Sequence, residues 1–580
     1  MKIALIAAHA HPIALGLRYV SSYLKSAGHE VAMFLMSSRR DTARADYTPA
    51  ALEDLAQRLR EYDLVGVSLM TSNFHRARVL TEHIRQVGIT APVVWGGTHP
   101  TVSPDESLEI ADAICVGEGE EPMLLLVERL AAGRDPTDIP SLSFRANGGF
   151  GNRVAVRNPP AALETRLDDI PFPDYELETH WIADKDGLVP ARPENLRGTL
   201  HTLRLMTSRG CPYHCTFCNN TALRSIFKDC GKWVRLRSID NVLGEIVQAL
   251  ACFPTIESVN FVDDLFFVRR EEEIEAFAAR YNAEVRLPLQ MDAFPNTVTD
   301  RKVRALAQVP IELISMGIES ASADTLANIY QRPTPPPRIA AAIDIFKRHR
   351  VRTEYHYIVS NPFEPDENVI ETMRFIADHH QGRSILRVFP LMFYPGSPLY
   401  QRARAEGLID TRDRGAYDFT GAGALLFARH DYLAVWLRFV LNLRNIGLPP
   451  WVAHRVIDFA TSRLTRKVLD RKWFCPTVFV AYKIGRKVLR NLVYQPFIRP
   501  FKYLRPRRRP ARPAVTTERW SVAEVNRNAQ RHRSKDGDEV LTVRTVTVSD
   551  LAAGPPTNAP DTFTPTKDRA PAESPPPASP

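Results

Sequence analysis

The chain has 580 residues, enough for two or three domains at roughly 100–200 residues each, and seven cysteines are too few for a disulfide scaffold. No apolar run reaches the roughly 18 residues that a spanning helix needs. The net charge of +9 is local: residues 463–512 hold sixteen Lys/Arg against the single acid Asp470, a contribution of +15 that leaves −6 for the rest. This argues against nucleic acid wrapped around the protein and for one local anionic partner.

The N-terminus, "MKIALIAAHAHPIALGL", reads as a first strand and loop, because it lacks the small-residue cleavage site of a signal peptide. Within residues 1–135, the runs Lys2–Ala8, Glu30–Ser37, Asp63–Met70, Pro92–Gly97 and Ala113–Gly119 are apolar strands of the buried parallel kind. Leu15–Ala27, Pro49–Glu61 and Phe74–Val87 have helical length and period. The alternation predicts an α/β, doubly wound, Rossmann-like sheet whose ligand edge lies at the carboxyl ends of its strands. "MTSNFH" (Met70–His75), "GGTHPT" (Gly96–Thr101) and "GEGEEP" (Gly117–Pro122) fall on that edge. They nominate Thr71, Ser72, Gly96, Gly97, His99, Gly117, Glu118 and Gly119 as binding residues, against the plainer reading of tight strand–helix turns. His9 and His11 follow the first strand on the same edge.

Residues 136–200 lack periodicity and hold several prolines, which reads as a linker with a short hairpin. From 201 to 427, six strand candidates alternate with helices: "LRLMTSRG", "SVNFVDDLF", "LPLQMDAF", "ELISMGIES", "RTEYHYIVS" and "ILRVFPLMF". Six such units predict a partial (β/α)6 barrel of the TIM type. Residues 428–504 read as a helical, aromatic and basic region, and 505–580, rich in Pro, Thr, Ser and Ala, as a disordered tail.

"SRGCPYHCTFCNN" (Ser208–Asn220) places Cys211, Cys215 and Cys218 in a C-x3-C-x2-C spacing. Three thiolates on one loop can hold three irons of a [4Fe–4S] cluster and leave the fourth open to a substrate or cofactor. A zinc site normally closes with four ligands, for which His214 would have to serve. Cys115 reads as a small core residue, and Cys230, Cys252 and Cys475 show no ligand spacing.

"CPYHCTFC" resembles the signature of the radical S-adenosylmethionine (SAM) proteins, with Phe217 at its aromatic position. "NFVDDLFF" (Asn260–Phe267), "MGIESAS" (Met316–Ser322) and "FYPGSPLY" (Phe393–Tyr400) resemble segments of the radical SAM proteins that carry an N-terminal cobalamin-binding domain. Val93–Pro122 resembles the end of that domain, and the resemblance covers roughly residues 1–425. It implies that Cys211, Cys215 and Cys218 ligate the cluster and that the open iron chelates SAM. One electron would then cleave SAM to a 5′-deoxyadenosyl radical. It implies further that Phe217 lies against the adenine, that Glu319 approaches the SAM ribose or amino group, and that Asp263 or Asp264 binds polar groups of SAM or substrate. The loops at Thr71–Ser72, Gly96–His99 and Gly117–Gly119 would bind cobalamin.

Two departures stand out. The segment that usually reads like G-x-P-G-E-T is here "SNPFEPDEN" (Ser360–Asn368), which has lost both glycines and keeps Pro362 and Glu364. There is no D-x-H-x-x-G motif, so the resemblance is to domains without a protein histidine below cobalt; His75 and His99 are the two candidates on suitable loops.

The expected function is cobalamin-dependent methylation of an unactivated carbon in a small-molecule or lipid-like substrate, with a flavodoxin or ferredoxin as electron donor. Cyclisation or rearrangement without methyl transfer is the alternative within enzymes, and a cobalamin-binding sensor the alternative outside them. The expected location is cytoplasmic. Residues 463–512 read either as a segment lying on an anionic bilayer or as a helical subdomain with solvated cations.

Overall fold

In the computed structural model the described residues are 1–8, 14–36, 47–192, 201–380, 384–409, 432–445 and 447–470, with the backbone of 531–533 and 539–541. The first strands form because their apolar runs can be buried on both faces at once. In β1 (Lys2–Ala7), Ala4 and Ile6 enter one apolar layer while Ile3 and Leu5 enter the other, as in a parallel sheet covered by helices on both sides. β2 (Glu30–Leu35), β3 (Leu64–Ser68), β4 (Val93–Gly96) and β5 (Ala113–Cys115) complete the expected set, with shorter ends than the apolar runs suggest. Strand order β5-β4-β3-β1-β2 reverses at β1. A doubly wound sheet opens its ligand crevice at such a reversal, beyond the carboxyl ends of the strands.

The short hairpin expected within 136–200 is present at His180–Pro190, and together with two further short strands it belongs to this sheet. β6 (Leu142–Phe144) and β7 (Val156–Arg157) extend one edge antiparallel. At the other edge β8 (His180–Asp184) joins β2 in parallel and turns back into β9 (Gly187–Pro190), making nine strands in all. The added edge is tied down by side chains: Asp54 accepts the Leu188 N–H at 2.8 Å, and the Arg58 guanidinium lies 3.6 Å from the centroid of the Trp181 indole.

The second sheet begins with β10 (Thr202–Leu205). A small ribbon follows, β11 (Ser208–Arg209) with β12 (Arg235–Leu236), and then β13 (Ser258–Phe261), β14 (Leu289–Ala293), β15 (Ile311–Glu319), β16 (Thr353–Val359) and β17 (Ile385–Pro390). All neighbours in the order β10-β13-β14-β15-β16-β17 are parallel, which is the expected partial barrel. Leu205, Phe261, Met291, Met316 and Tyr355 face its covering helices in the largest apolar core. The alternate positions, among them Asn260, Gln290, Asp292, Ser315 and His356, lie on the inner face.

The two sheets are clasped by buried charge. Glu245, fully buried, pairs with Arg237 and accepts from Tyr175 Oη at 2.7 Å; Tyr19, on the first helix (Leu15–Ser26), reaches the same carboxylate at 3.5 Å. The helices Tyr432–Asn445, Pro450–Thr461 and Arg463–Leu469 pack on Asp366–His379, with Arg374 Nη2 2.8 Å from Asp458 Oδ1. Of the basic region, residues 471–512 lie outside the described residues, as do His9, His11 and Cys475. Within the tail, Arg531–Arg533 and Glu539–Leu541 form an antiparallel pair of short strands. Among the described residues no helix is long and apolar enough to cross a membrane.

Candidate active site

The cysteine loop connects β11 to the helix Asn219–Ile226, and Cys218 stands at the N-cap of that helix. Its shape is over-determined. Cys218 N–H bonds Cys215 O at 3.0 Å, Thr221 Oγ1 donates to the same carbonyl at 2.8 Å, and Trp233 Nε1 holds Cys211 O at 3.0 Å. Thr216 ties the loop across the barrel through Tyr330 O (2.9 Å) and Ile329 O (2.6 Å). Burial raises all three thiols, Cys211 to about 11 and Cys218 to about 12, so each must give up a proton to ligate metal. Among the described residues no three His, Cys, Asp or Glu side chains converge on a single-ion site, and His214 is exposed. The zinc alternative therefore lacks a closed ligand set, whereas three thiols on one rigid loop suit an iron–sulfur cluster.

Residues from distant strands converge on this loop. Arg332, 94% buried, brings Nη1 to 3.5 Å from Cys215 Sγ, donates through Nη2 to Gly317 O and sits 4.0 Å from the Phe294 centroid. Tyr213 stacks on the same Phe294 ring, 3.7 Å between centroids. Glu319 ends β15 at φ 71°, a left-handed conformation that a non-glycine residue holds only where its surroundings enforce it. Its carboxylate occupies the space where a Cβ on Gly317 would stand, so a larger residue at 317 would displace it. Burial raises the Glu319 carboxyl, with Arg332 and His356 opposing. Phe217 meets Tyr330 edge-on at 5.0 Å. Behind them the departed segment is anchored: Asn361 donates to Tyr330 Oη (3.3 Å), and Glu364 accepts from Ser320 (3.1 Å) and Thr325 (2.8 Å). The sequence shows no sign of Arg332, Tyr330 or Asn361, because the first two reach the loop from the segment after β15 and Asn361 supports Tyr330 from the turn after β16.

The paired acids divide their work. Asp263 is buried and accepts from Thr207 N–H, Thr207 Oγ1 and Ser208 N–H; burial raises it to about 6 against these bonds. It fastens the strand end that launches the loop, and its hydrogen bonds go to Thr207 and Ser208. Asp264 is exposed and brackets the loop, accepting from Gly210 N–H at 3.1 Å and Asn220 Nδ2 at 2.7 Å.

A cavity of about 350 Å³ joins the crevice of the first sheet to this bracket. Gly96, Gly97, Gly117, Glu118 and Gly119 line it as expected, together with Ser68 and Thr101, and Gly210, Asn220 and Asp264 close it from the barrel side. Gly117 has φ 88°, and a Cβ there would enter the Phe227 ring, so backbone alone forms this part of the wall. Gly117→Ala should raise the Kd for cobalamin by at least about tenfold, given roughly 1–3 kcal/mol of backbone strain. Cluster absorbance should be unchanged in the same titration.

The structure places the remaining nominated residues outside this lining or in pairs within the protein. Thr71, Ser72 and His99 do not line the cavity. His99 is fully buried on the short helix Thr98–Val102, turned toward Thr71 Oγ1 (3.3 Å) and the Phe74 ring, and burial lowers it to about 4. Thr71 is itself buried beside it, and Ser72 bonds Asn73 Oδ1 at 3.2 Å. His75 is exposed next to Arg78. Glu118 lines the cavity, but its charge is consumed. Burial opposes its ionisation, and Arg209 and Arg235 outweigh burial to hold the carboxyl below the usual range.

Comparison with known proteins agrees with this geometry. Residues 1–127 match the B12 binding domain family and residues 205–376 the Radical SAM superfamily. The chain is 26% identical over 447 residues to an uncharacterized methyltransferase of Pyrococcus horikoshii, covering 74% of this chain and 89% of that one. It is 24% identical over 367 residues to the anaerobic magnesium-protoporphyrin IX monomethyl ester cyclase of Rubrivivax gelatinosus, covering 62% and 61%. The radical SAM methyltransferase TsrM of Kitasatospora setae, solved with cobalamin and a [4Fe–4S] cluster, shares the fold at TM-score 0.53 and 20% identity, covering 70% of this chain and 75% of that one. With a glycine-walled crevice opening onto a three-cysteine barrel loop, the chain belongs to the radical SAM superfamily members that carry a B12-binding domain, and it is an enzyme that works with cobalamin, a [4Fe–4S] cluster and SAM.

Proposed function

We propose that the protein methylates an unactivated carbon of a small-molecule substrate. The observation that carries this reading is the shared wall: Gly210, Asn220 and Asp264 belong both to the bracket of the cysteine loop and to the cavity of the first sheet. When bound, the cluster supplies the electron that cleaves SAM to a 5′-deoxyadenosyl radical, and cobalamin supplies the methyl group.

The chain's own residues hold and orient. Cys211, Cys215 and Cys218 carry the cluster. Arg332 and Glu319, a cation and an acid near Cys215, offer complementary charge to the carboxylate and ammonium of SAM. Phe217, propped by Tyr330, provides an apolar face for the adenine. Gly96, Gly97, Gly117 and Gly119 admit cobalamin against backbone, and Ser68 and Thr101 offer it hydroxyls. A one-electron donor of the flavodoxin or ferredoxin kind completes the system.

The test is a product assay on reconstituted protein under reduction. Methylation predicts S-adenosylhomocysteine beside 5′-deoxyadenosine. 5′-Deoxyadenosine without S-adenosylhomocysteine would instead support the cyclase-like reading, which the similarity to the magnesium-protoporphyrin cyclase keeps open. Cobalamin binding with neither product would support a sensor.

A further inference from the structure

Below the cysteine loop the inner face of the barrel is polar where its outer face is apolar. Strand register sets Asp292 beside Ser315 and Ser315 beside Glu354, on β14, β15 and β16. The next inward layer sets His356 beside Arg387. Glu354 is 95% buried; its Oε1 accepts from Arg387 Nε (2.7 Å) and His356 Nε2 (2.9 Å), while its Oε2 is buried without a hydrogen-bond partner. Asp292 is open to the barrel interior, and among the described residues it has Ser315 as a hydrogen-bond partner and no ion-pair partner. Burial raises the Asp292 carboxyl and the Glu354 charge adds to it, with His356 and Ser315 opposing. Acceptors left unmet inside a concave wall call for a donor from outside the chain.

We infer that this layer anchors the substrate and takes a protonated nitrogen, as an ammonium, amidinium or guanidinium group, through Asp292 and the second oxygen of Glu354. The inference rests on the reading that SAM is cleaved at the cysteine loop, since that reading makes the barrel interior the substrate site. Ser315 and Glu319 are four residues apart on β15, roughly 13 Å at 3.3 Å per residue. The anchored nitrogen and the reacting carbon therefore sit at opposite ends of the substrate.

Saturation-transfer NMR on the reconstituted full chain tests this with benzamidinium and its neutral counterpart benzamide. The wild type should prefer benzamidinium by about tenfold or more, the worth of one charge-assisted hydrogen bond. Asp292→Asn should reduce the preference below about threefold with cluster and cobalamin absorbance retained; Asp292→Ser serves if the first variant folds poorly. No preference in the wild type, or an unchanged preference in a folded variant, overturns the inference. Formation of 5′-deoxyadenosine in the same samples separates the two levels. If it forms while benzamidinium is not preferred, the anchor fails alone; if it does not form, the underlying reading fails.

Discussion

Cys215→Ala should abolish the iron-based absorbance of the reconstituted protein and bring SAM cleavage below detection, while cobalamin still binds. Cys215 is the central cysteine, 94% buried, with the Arg332 guanidinium against its sulfur. Its loss removes a ligand and leaves a buried cation facing a methyl group. The cobalamin cavity contains none of the three cysteines, which is why the two cofactors should separate in this variant. The same thiols set a pH dependence. Burial raises all of them, so assembly releases protons and weakens as pH falls, by up to about tenfold per pH unit for each proton released. Iron uptake measured between pH 6 and 8 should rise with pH. A flat profile would mean that the thiols are already ionised in the folded protein.

Glu245→Gln should cost about 3–5 kcal/mol of stability, the usual penalty for leaving a buried charge without its partner. Glu245 is fully buried and Arg237 is 95% buried. Burial raises both Tyr19 and Tyr175, so they remain donors to the carboxylate at any ordinary pH. The amide keeps the shape but strips the charge that Arg237 answers. The variant should melt markedly earlier, and limited proteolysis should cut first between the two sheets. Removing both partners, as Glu245→Leu with Arg237→Met, should restore most of the loss, because a well-packed apolar pair replaces buried ions at little net cost. An unchanged melting curve for Glu245→Gln would show that the clasp adds nothing to the docking of the sheets.

What was legible in the sequence follows from which physical signals are local. Continuous apolar runs mark strands buried on both faces, so β1 to β5 and the six barrel strands could be read directly. The spacing from Cys211 to Cys218 exposed the cluster loop for the same reason. Short strands carry no period: β6 and β7 span three and two residues and vanish among prolines, and the hairpin of β8 and β9 was legible without its place beside β2. Neighbouring residues also part ways for reasons that only packing reveals. Thr101 faces the cavity while His99, two residues earlier on the same turn, faces the core. Asp263 turns inward to fasten backbone, and Asp264 turns outward to bracket the loop. Arg332 reaches Cys215 from 117 residues away, a contact that no window along the chain could contain.

The chain leaves the first sheet at β5, returns to it through β6 and β7, and then crosses to the opposite edge for β8 and β9. The B12-binding family match ends at residue 127, yet the sheet is completed only at Pro190. The folded module is therefore longer than the matched one. A domain cut at the end of the matched part would bare two sheet edges and strand Arg58 from Trp181. An excised domain that keeps this sheet whole must therefore run to Pro190.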